Sequence, residues 1–262
     1  MNKSLLGLIL ITLFSLSAIA QSNKEYKILS KFKKLSIVGG PVLYNKAKIY
    51  PQYGNYIFEN KPIWGFNAGL EYDFYPDRKW SFVTGILVAL EHVYNIQCTF
   101  KKEDIYTNFN EDYTDEFKMS AMPSFSAPLL LRLNIQISQK TFANFLTGLK
   151  VMYFPAGNGE LTVVFHNEDD TEAREEFHLS ADSPENSFQG SFVIGTGLSF
   201  AINKVLLKSN LVYVMNFQNT MTGNYMFYNL LSSPPAGGDY ELSGNYLGLW
   251  LSVTIAKKKI KE

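Results

Sequence analysis

Trp64-Gly65-Phe66-Asn67-Ala68-Gly69-Leu70-Glu71-Tyr72-Asp73-Phe74 is the stretch whose reading decides the fold. Every second residue, from Trp64 to Phe74, is apolar or aromatic. The residues between them are Gly65, Asn67, Gly69, Glu71 and Asp73. Side chains of a strand alternate between two faces, so this is a strand with one greasy and one polar side. Pro76-Asp77-Arg78 makes a tight turn, and a second alternating run begins at Trp80 with Phe82, Thr84, Ile86, Val88 and Leu90 on one face. The unit is a β-hairpin.

The same hairpin recurs twice. Residues 126–137 alternate Leu129, Leu131, Leu133, Ile135 and Ile137 against Leu130, Arg132, Asn134 and Gln136, then turn at Ser138-Gln139-Lys140 into 141–154. Residues 188–202 and 205–217 flank Asn203-Lys204 in the same way. A strand at 34–44 precedes the series and one at 242–256 closes it. Gly39-Gly40-Pro41 predicts a bulge or an irregular edge in the first strand, because Pro cannot donate to a sheet. The third strand, read as 79–97, runs past Glu91.

Eight strands result, and their connections alternate long and short. The long ones are 45–61, 98–119, 155–187 and 218–240; the short ones are the three turns. Outer-membrane barrels have an even strand number, short periplasmic turns and longer outer loops. The pattern predicts an all-β, eight-stranded antiparallel transmembrane barrel at 34–256, with its greasy face toward lipid. Within the longest connection, 161–166 and 171–179 form their own hairpin pattern.

The chain's start fits export. Lys3 is followed by an apolar run from Leu5 to Leu16, and Ser17-Ala18-Ile19-Ala20 supplies the small residues of a cleavage site. Residues 1–20 are therefore expected to be a signal peptide cut before Gln21. Residues 21–33 are expected to be a periplasmic lead-in, and 257–262 a basic tail. After residue 20 no apolar run is long enough for a membrane-spanning helix. The predicted location is the bacterial outer membrane, with outer-membrane lipid as a partner. Equal totals of 24 basic and 24 acidic residues give no imbalance that would point to nucleic acid. The single Cys98 cannot form an internal disulfide and matches no metal spacing.

A barrel of eight strands has an interior that side chains fill, so inward charges need partners. Glu71 and Asp73, counted from the turns, lie at the level of Arg132 and Lys208. Glu91 and Lys150 lie higher. These six form a predicted structural charge network in the lumen.

Catalytic candidates are sparse. A Ser–His dyad of an outer-leaflet lipid enzyme needs a His at the outer rim, and the three His are His92, His166 and His178. By parity His92 faces out with Leu90, as an interface residue. His166 and His178 lie in the acidic connection, set across a hairpin from each other, where Glu168, Asp169, Asp170 or Glu176 could join them in a weak metal site. A solvated loop is the preferred reading, so no catalytic, metal or cofactor site is assigned. The Tyr225-Met226-Phe227-Tyr228 run offers Tyr225, Phe227 and Tyr228 as a loop contact surface.

These residues resemble a known family. The signal ending Ala18-Ile19-Ala20-Gln21, the Gly-rich strand Gly65-Phe66-Asn67-Ala68-Gly69-Leu70-Glu71-Tyr72 and the last strand look like the small outer-membrane β-barrel proteins of Bacteroidetes, often called PorT-like. The resemblance covers residues 35–255. Tyr246-Leu247-Gly248-Leu249-Trp250-Leu251-Ser252-Val253 is similar to the insertion signal read by the barrel-assembly machinery, but continues into a lysine-rich tail where many barrels end on an aromatic. The resemblance implies outer-membrane location and, through some relatives, an envelope or secretion protein as partner. The expectation is a non-enzymatic barrel acting through its outer loops. The alternatives are a narrow channel, a carrier of a small apolar ligand, or an outer-leaflet lipid-modifying enzyme.

Overall fold

The structure, a computed structural model, describes residues 25–91, 95–105, 110–118, 122–155, 157–166, 171–184 and 187–257. The first twenty residues, His92, Glu168, Asp169, Asp170 and the tail beyond Lys257 lie outside the described residues, as do the side chain of Glu91 and its place in the lumen network.

Among the described residues a short 3-10 helix, Glu25–Lys31, precedes sixteen strands. They are β1 Leu35–Tyr44, β2 Lys48–Tyr53, β3 Glu59–Asn60, β4 Ile63–Asp73, β5 Trp80–Glu91, β6 Asn95–Phe100, β7 Tyr113–Lys118 and β8 Met122–Ser138. Then come β9 Thr141–Tyr153, β10 Asn158–His166, β11 Ala173–Asp182, β12 Phe188–Ile202, β13 Val205–Asn216, β14 Met221–Phe227, β15 Ala236–Leu242 and β16 Tyr246–Ile255.

Eight of them close a barrel in the order β1-β16-β13-β12-β9-β8-β5-β4, every pair antiparallel. The eight expected strands are these eight. Three tight turns join β4 to β5, β8 to β9 and β12 to β13, and define the turn end. The last of these is a two-residue loop, with Asn203 in the left-handed region at φ 50°.

The bulge expected at Gly39-Gly40-Pro41 is not there. β1 pairs with β4 without a break from Leu35 opposite Tyr72 to Tyr44 opposite Ile63, and keeps one register with β16 on either side of Gly40 and Pro41. Gly40 is needed for the close approach: a Cβ there would sit 1.8 Å from the Leu249 carbonyl oxygen. The third strand is shorter than expected. β5 ends at Glu91, and Asn95–Phe100 pairs with β7 in a different sheet. The last strand is shorter too, since Gly244 at φ 65° separates β15 from β16.

Alternation sorts the two faces. Trp64, Phe66, Leu70, Phe82, Ile86, Leu129, Ile137, Leu149, Ile194, Leu207, Leu211, Leu247 and Leu251 are exposed on the outside. Their neighbours Asn67, Glu71, Asp73, Ser81, Arg132, Asn144, Lys208, Asn210 and Ser252 are buried inside. Leu133 is the exception on β8: it is buried between two large cross-strand neighbours, Trp80 and Phe145.

The described part of the expected lead-in forms a cap. Tyr26, Leu29 and Phe32 are buried against Phe142, Ala201 and Leu206, the inward residues nearest two of the turns. The Tyr26 hydroxyl donates to the Asn134 carbonyl, and the Lys33 N–H to the Ile255 carbonyl. The polar look of 21–33 hid three well-spaced apolar residues that plug the mouth of the barrel.

The long connections are not loose either. Their strands build a five-stranded sheet, β10-β11-β14-β15-β2, and a three-stranded sheet, β3-β6-β7. Between them lies a separate apolar core that includes Phe58, Ile96, Cys98, Phe100, Phe165, Phe177, Leu179, Phe227 and Tyr240. Its rings meet edge to face, as in Phe58 with Tyr225 at 5.0 Å and Phe100 with Phe165 at 5.2 Å. We call this unit the loop-end domain.

Candidate functional site

The lumen charges come from three strands that are not neighbours in the barrel. Glu71 and Asp73 project inward from β4, Arg132 from β8 and Lys208 from β13. Arg132, with 1% of its surface exposed, donates from Nη2 to Glu71 Oε1 at 2.7 Å and from Nη1 to Asp73 Oδ2 at 2.8 Å. Lys208 Nζ lies 3.2 Å from the same Glu71 oxygen and 3.4 Å from the same Asp73 oxygen. Ser81 adds a hydroxyl to Asp73 Oδ1. Two carboxylates therefore share two cations, so the group is neutral and its charges are mutually hydrogen-bonded. Such a set meets the cost of burial only as a whole.

Lys150 is in the lumen but separate from this group. Its ammonium lies 4.9 Å from the Tyr246 ring centre and 3.4 Å from the Tyr246 hydroxyl, which also accepts from Asn67 at 3.1 Å. Tyr44 stacks edge-on against Tyr246 at 5.4 Å. Val38, Val83, Leu87, Leu130, Leu146, Val193, Val212 and Trp250 make the apolar filling of the same lumen. The interior thus holds a cap, a neutral charge cluster, an apolar cluster and a tyrosine–lysine group.

The aromatic contact surface read from residues 225–228 is corrected. Tyr225 is 2% exposed and Phe227 0%; both belong to the core of the loop-end domain. They lie on the inward parity of β14, a strand inside the connection expected to be loop. Tyr228 is half-buried, and burial together with a hydrogen bond to Glu175 pushes its hydroxyl above the ordinary tyrosine range. The exposed apolar residues of this domain are others, among them Tyr50, Tyr53, Ile57, Val164, Met226 and Leu231.

His166 and His178 do not face each other. Thr162 is opposite His178, and His166 is opposite Ala173. Their hairpin register sets them four rungs apart, and Glu176 is buried. His178 Nδ1 lies 3.3 Å from Glu175 Oε1 and 3.5 Å from Thr162 Oγ1. Both contacts fall on one ring nitrogen, so the ring does not bridge them as a catalytic dyad would. No group of metal-ligating side chains occurs among the described residues.

One functional-looking residue was missed. Asp104 is fully buried in the loop-end domain, where it accepts from the Tyr56 hydroxyl, from the Ser232 N–H at 3.0 Å, and from the Ser233 N–H at 2.6 Å and hydroxyl at 2.8 Å. Burial opposes its charge, but these donors together hold the carboxyl below the usual carboxylate range. Burial and the bond to Asp104 push Tyr56 in the opposite direction, well above the ordinary tyrosine value. A surface hollow of about 310 Å³ opens beside them, lined by Asn55, Ile57, Thr99, Lys101, Asp112 and Pro234. Asp104 and Ser233 are 129 positions apart, and no local pattern links them.

No family model matches the chain, and no curated protein matches it in sequence. Among solved structures it is similar to the outer membrane protein OprG from Pseudomonas aeruginosa, at 10% identity over 86% of this chain and 98% of that one, with a TM-score of 0.43. A major outer membrane protein from Thermus thermophilus gives 8% identity over 85% and 99%, with a TM-score of 0.35. The outer membrane protease OmpT from Escherichia coli gives 7% identity over 86% and 98%, with a TM-score of 0.34. These identities and scores are low, and the barrel assignment stands on the strand pairing itself.

Proposed function

We propose that the chain is an integral outer-membrane β-barrel, non-enzymatic, that acts through its loop-end domain in surface interaction or in envelope or secretion assembly. One observation carries the membrane part: exposed apolar side chains occupy the outward face of all eight barrel strands, a closed belt no soluble protein would leave to water. The export signal read at residues 1–20 accords with it. The short turns are then periplasmic and the loop-end domain faces outward. The kinship with the small barrels of Bacteroidetes is part of this proposal, supported by the Gly-rich alternating strands and the final strand.

The contact role belongs to the exposed face of the loop-end domain. Tyr50 and Tyr53 stand on β2, an edge of the five-stranded sheet, with Pro51 between them to discourage strand addition. A channel is disfavoured because the described side chains place a cap, a charge cluster and an apolar cluster in series along the lumen. Membrane fractionation tests the proposal. Heat-modifiable migration in the outer-membrane fraction, resistant to carbonate, is expected; release by salt or carbonate would refute it. Crosslinking from intact cells, with labels at Tyr50 and Tyr53, would then identify the partner.

A further inference from the structure

Basic and acidic residues are equal in number along the chain, yet the fold does not mix them evenly. At the turn end, each short connection and each terminal strand carries an exposed cation. Arg78 is in the first turn, Lys140 in the second and Lys204 in the third; Lys34 leads into β1 and Lys257 follows β16. None of these five has a carboxylate partner among the described residues. Asp77 is the exposed acid among the described side chains of that end.

Their height on the barrel is the informative part. Lys34 adjoins Leu35, Lys140 follows Ile137, Lys204 follows Ile202 and Lys257 follows Ile255, all four apolar neighbours being exposed on the lipid side. Arg78 follows Phe74 and Tyr75, also exposed. Each cation thus sits just past the edge of the apolar belt, at the depth where headgroups begin. Rings are interleaved with them: the Arg78 guanidinium lies 4.7 Å from the Tyr75 ring centre, and Lys34 Nζ lies 6.0 Å from those of Tyr72 and Tyr75. Aromatic rings and long cationic stems are the side chains that suit a membrane interface.

We infer that these cations form a collar that binds the phosphate headgroups of anionic lipids in the leaflet at the turn end. The inference rests on the membrane reading above. The cations encircle the barrel, from the β4–β5 turn through the β8–β9 and β12–β13 turns to the ends of β1 and β16. A surrounding shell of lipid meets all of them at once, whereas a folded acidic partner approaching the rim meets one side.

The chain carries its own reporters. Trp80 is on the lipid side at the turn end, Trp64 is exposed near the loop end, and Trp250 is inside the lumen. Trp64→Phe and Trp80→Phe variants each leave one lipid-side reporter. The protein is inserted in phosphatidylcholine vesicles containing brominated phosphatidylglycerol or brominated phosphatidylcholine, and quenching is compared. The expected result is a preference for the anionic lipid of roughly fivefold at Trp80, the effect of one cation at a charged surface, with no preference at Trp64. In Arg78→Gln/Lys140→Gln/Lys204→Gln, and for the parent in about 1 M salt, the preference falls to within twofold of none. Equal quenching by the two lipids at Trp80 of the parent overturns the collar, and is also the result if a soluble acidic protein is its occupant. Quenching of neither reporter by either lipid overturns the membrane reading instead.

Discussion

Replacing Arg132 by Met removes the centre of the lumen charge cluster without removing its bulk. In the parent, Arg132 makes two charge-assisted hydrogen bonds, at 2.7 Å to Glu71 and 2.8 Å to Asp73, from a position with 1% exposure. Lys208 remains at 3.2 and 3.4 Å and can neutralise one carboxylate, so one buried negative charge is left over. Breaking a buried pair on one side costs about 3–5 kcal/mol. At a slope of about 2 kcal/mol per molar, the urea midpoint should fall by roughly 2 M. The assay is urea unfolding of the vesicle-inserted protein, followed by Trp emission and by heat-modifiable migration. A neutral set, Glu71→Gln with Asp73→Asn, Arg132→Met and Lys208→Met, should recover most of the loss, because no unpaired charge is then buried. A fall of less than about 0.5 M for Arg132→Met, or a neutral set no better than the single variant, would refute the idea that the cluster is a structural unit.

Three further predictions concern other parts of the chain. Asp104 has a depressed carboxyl, so its stabilising contribution is complete above the unfolded carboxylate value, about pH 4, and is lost as pH falls through its lower folded value. Protease cleavage near Ser232 should therefore rise only in strong acid, while Asp104→Asn is cleaved at neutral pH, with a loss of about 1–3 kcal/mol and no change in the barrel's heat-modifiable migration. Gly40→Ala puts a Cβ 1.8 Å from the Leu249 oxygen, so the β1–β16 seam must open, and the variant should fail to give the compact migrating form. Phe32→Ala removes a buried ring from the turn-end cap and should cost about 3 kcal/mol in urea unfolding, while planar-bilayer recordings stay silent because the charge and apolar clusters remain.

The barrel was legible because each of its strands pairs with a neighbour and declares its two faces at period two. The hairpins at Pro76-Asp77-Arg78 and Asn203-Lys204 need only local residues to be recognised. Arg132 and Lys208 could be matched to Glu71 and Asp73 because turns fix the height of every residue above them. Of the loop-end domain only the hairpin at 161–166 and 171–179 was legible in the same way, and it is β10 paired with β11. The domain's larger sheet joins β2, β10, β11, β14 and β15 from three connections, its smaller one takes β6 and β7 from the fourth, and its core brings Phe58 against Tyr225. Short strands of six or seven residues surrounded by Gly and Pro look like loops until their partners are known. For the same reason the aromatic run at Tyr225 looked like surface: which face of a strand is buried is set by what covers it, and the cover lies more than a hundred residues away. The capping role was not legible because Tyr26, Leu29 and Phe32 are spaced among lysines and serines, and only the open mouth of a barrel gives them a place to go.

In an outer-membrane barrel the greasy face of β4 meets lipid. Nitroxide labels placed one at a time at residues 64, 66, 67, 68, 70, 72 and 74, which spare the tightly packed glycines and the charge cluster, test it most directly, by comparing collisions with oxygen, which concentrates in the bilayer, and with a water-soluble nickel complex. High oxygen access is expected at 66, 68, 70 and 72, low access to both at 67, and nickel access rising only toward the ends of the strand. Strong nickel access at 68 and 70 would mean that this face meets water and that the barrel does not span a membrane.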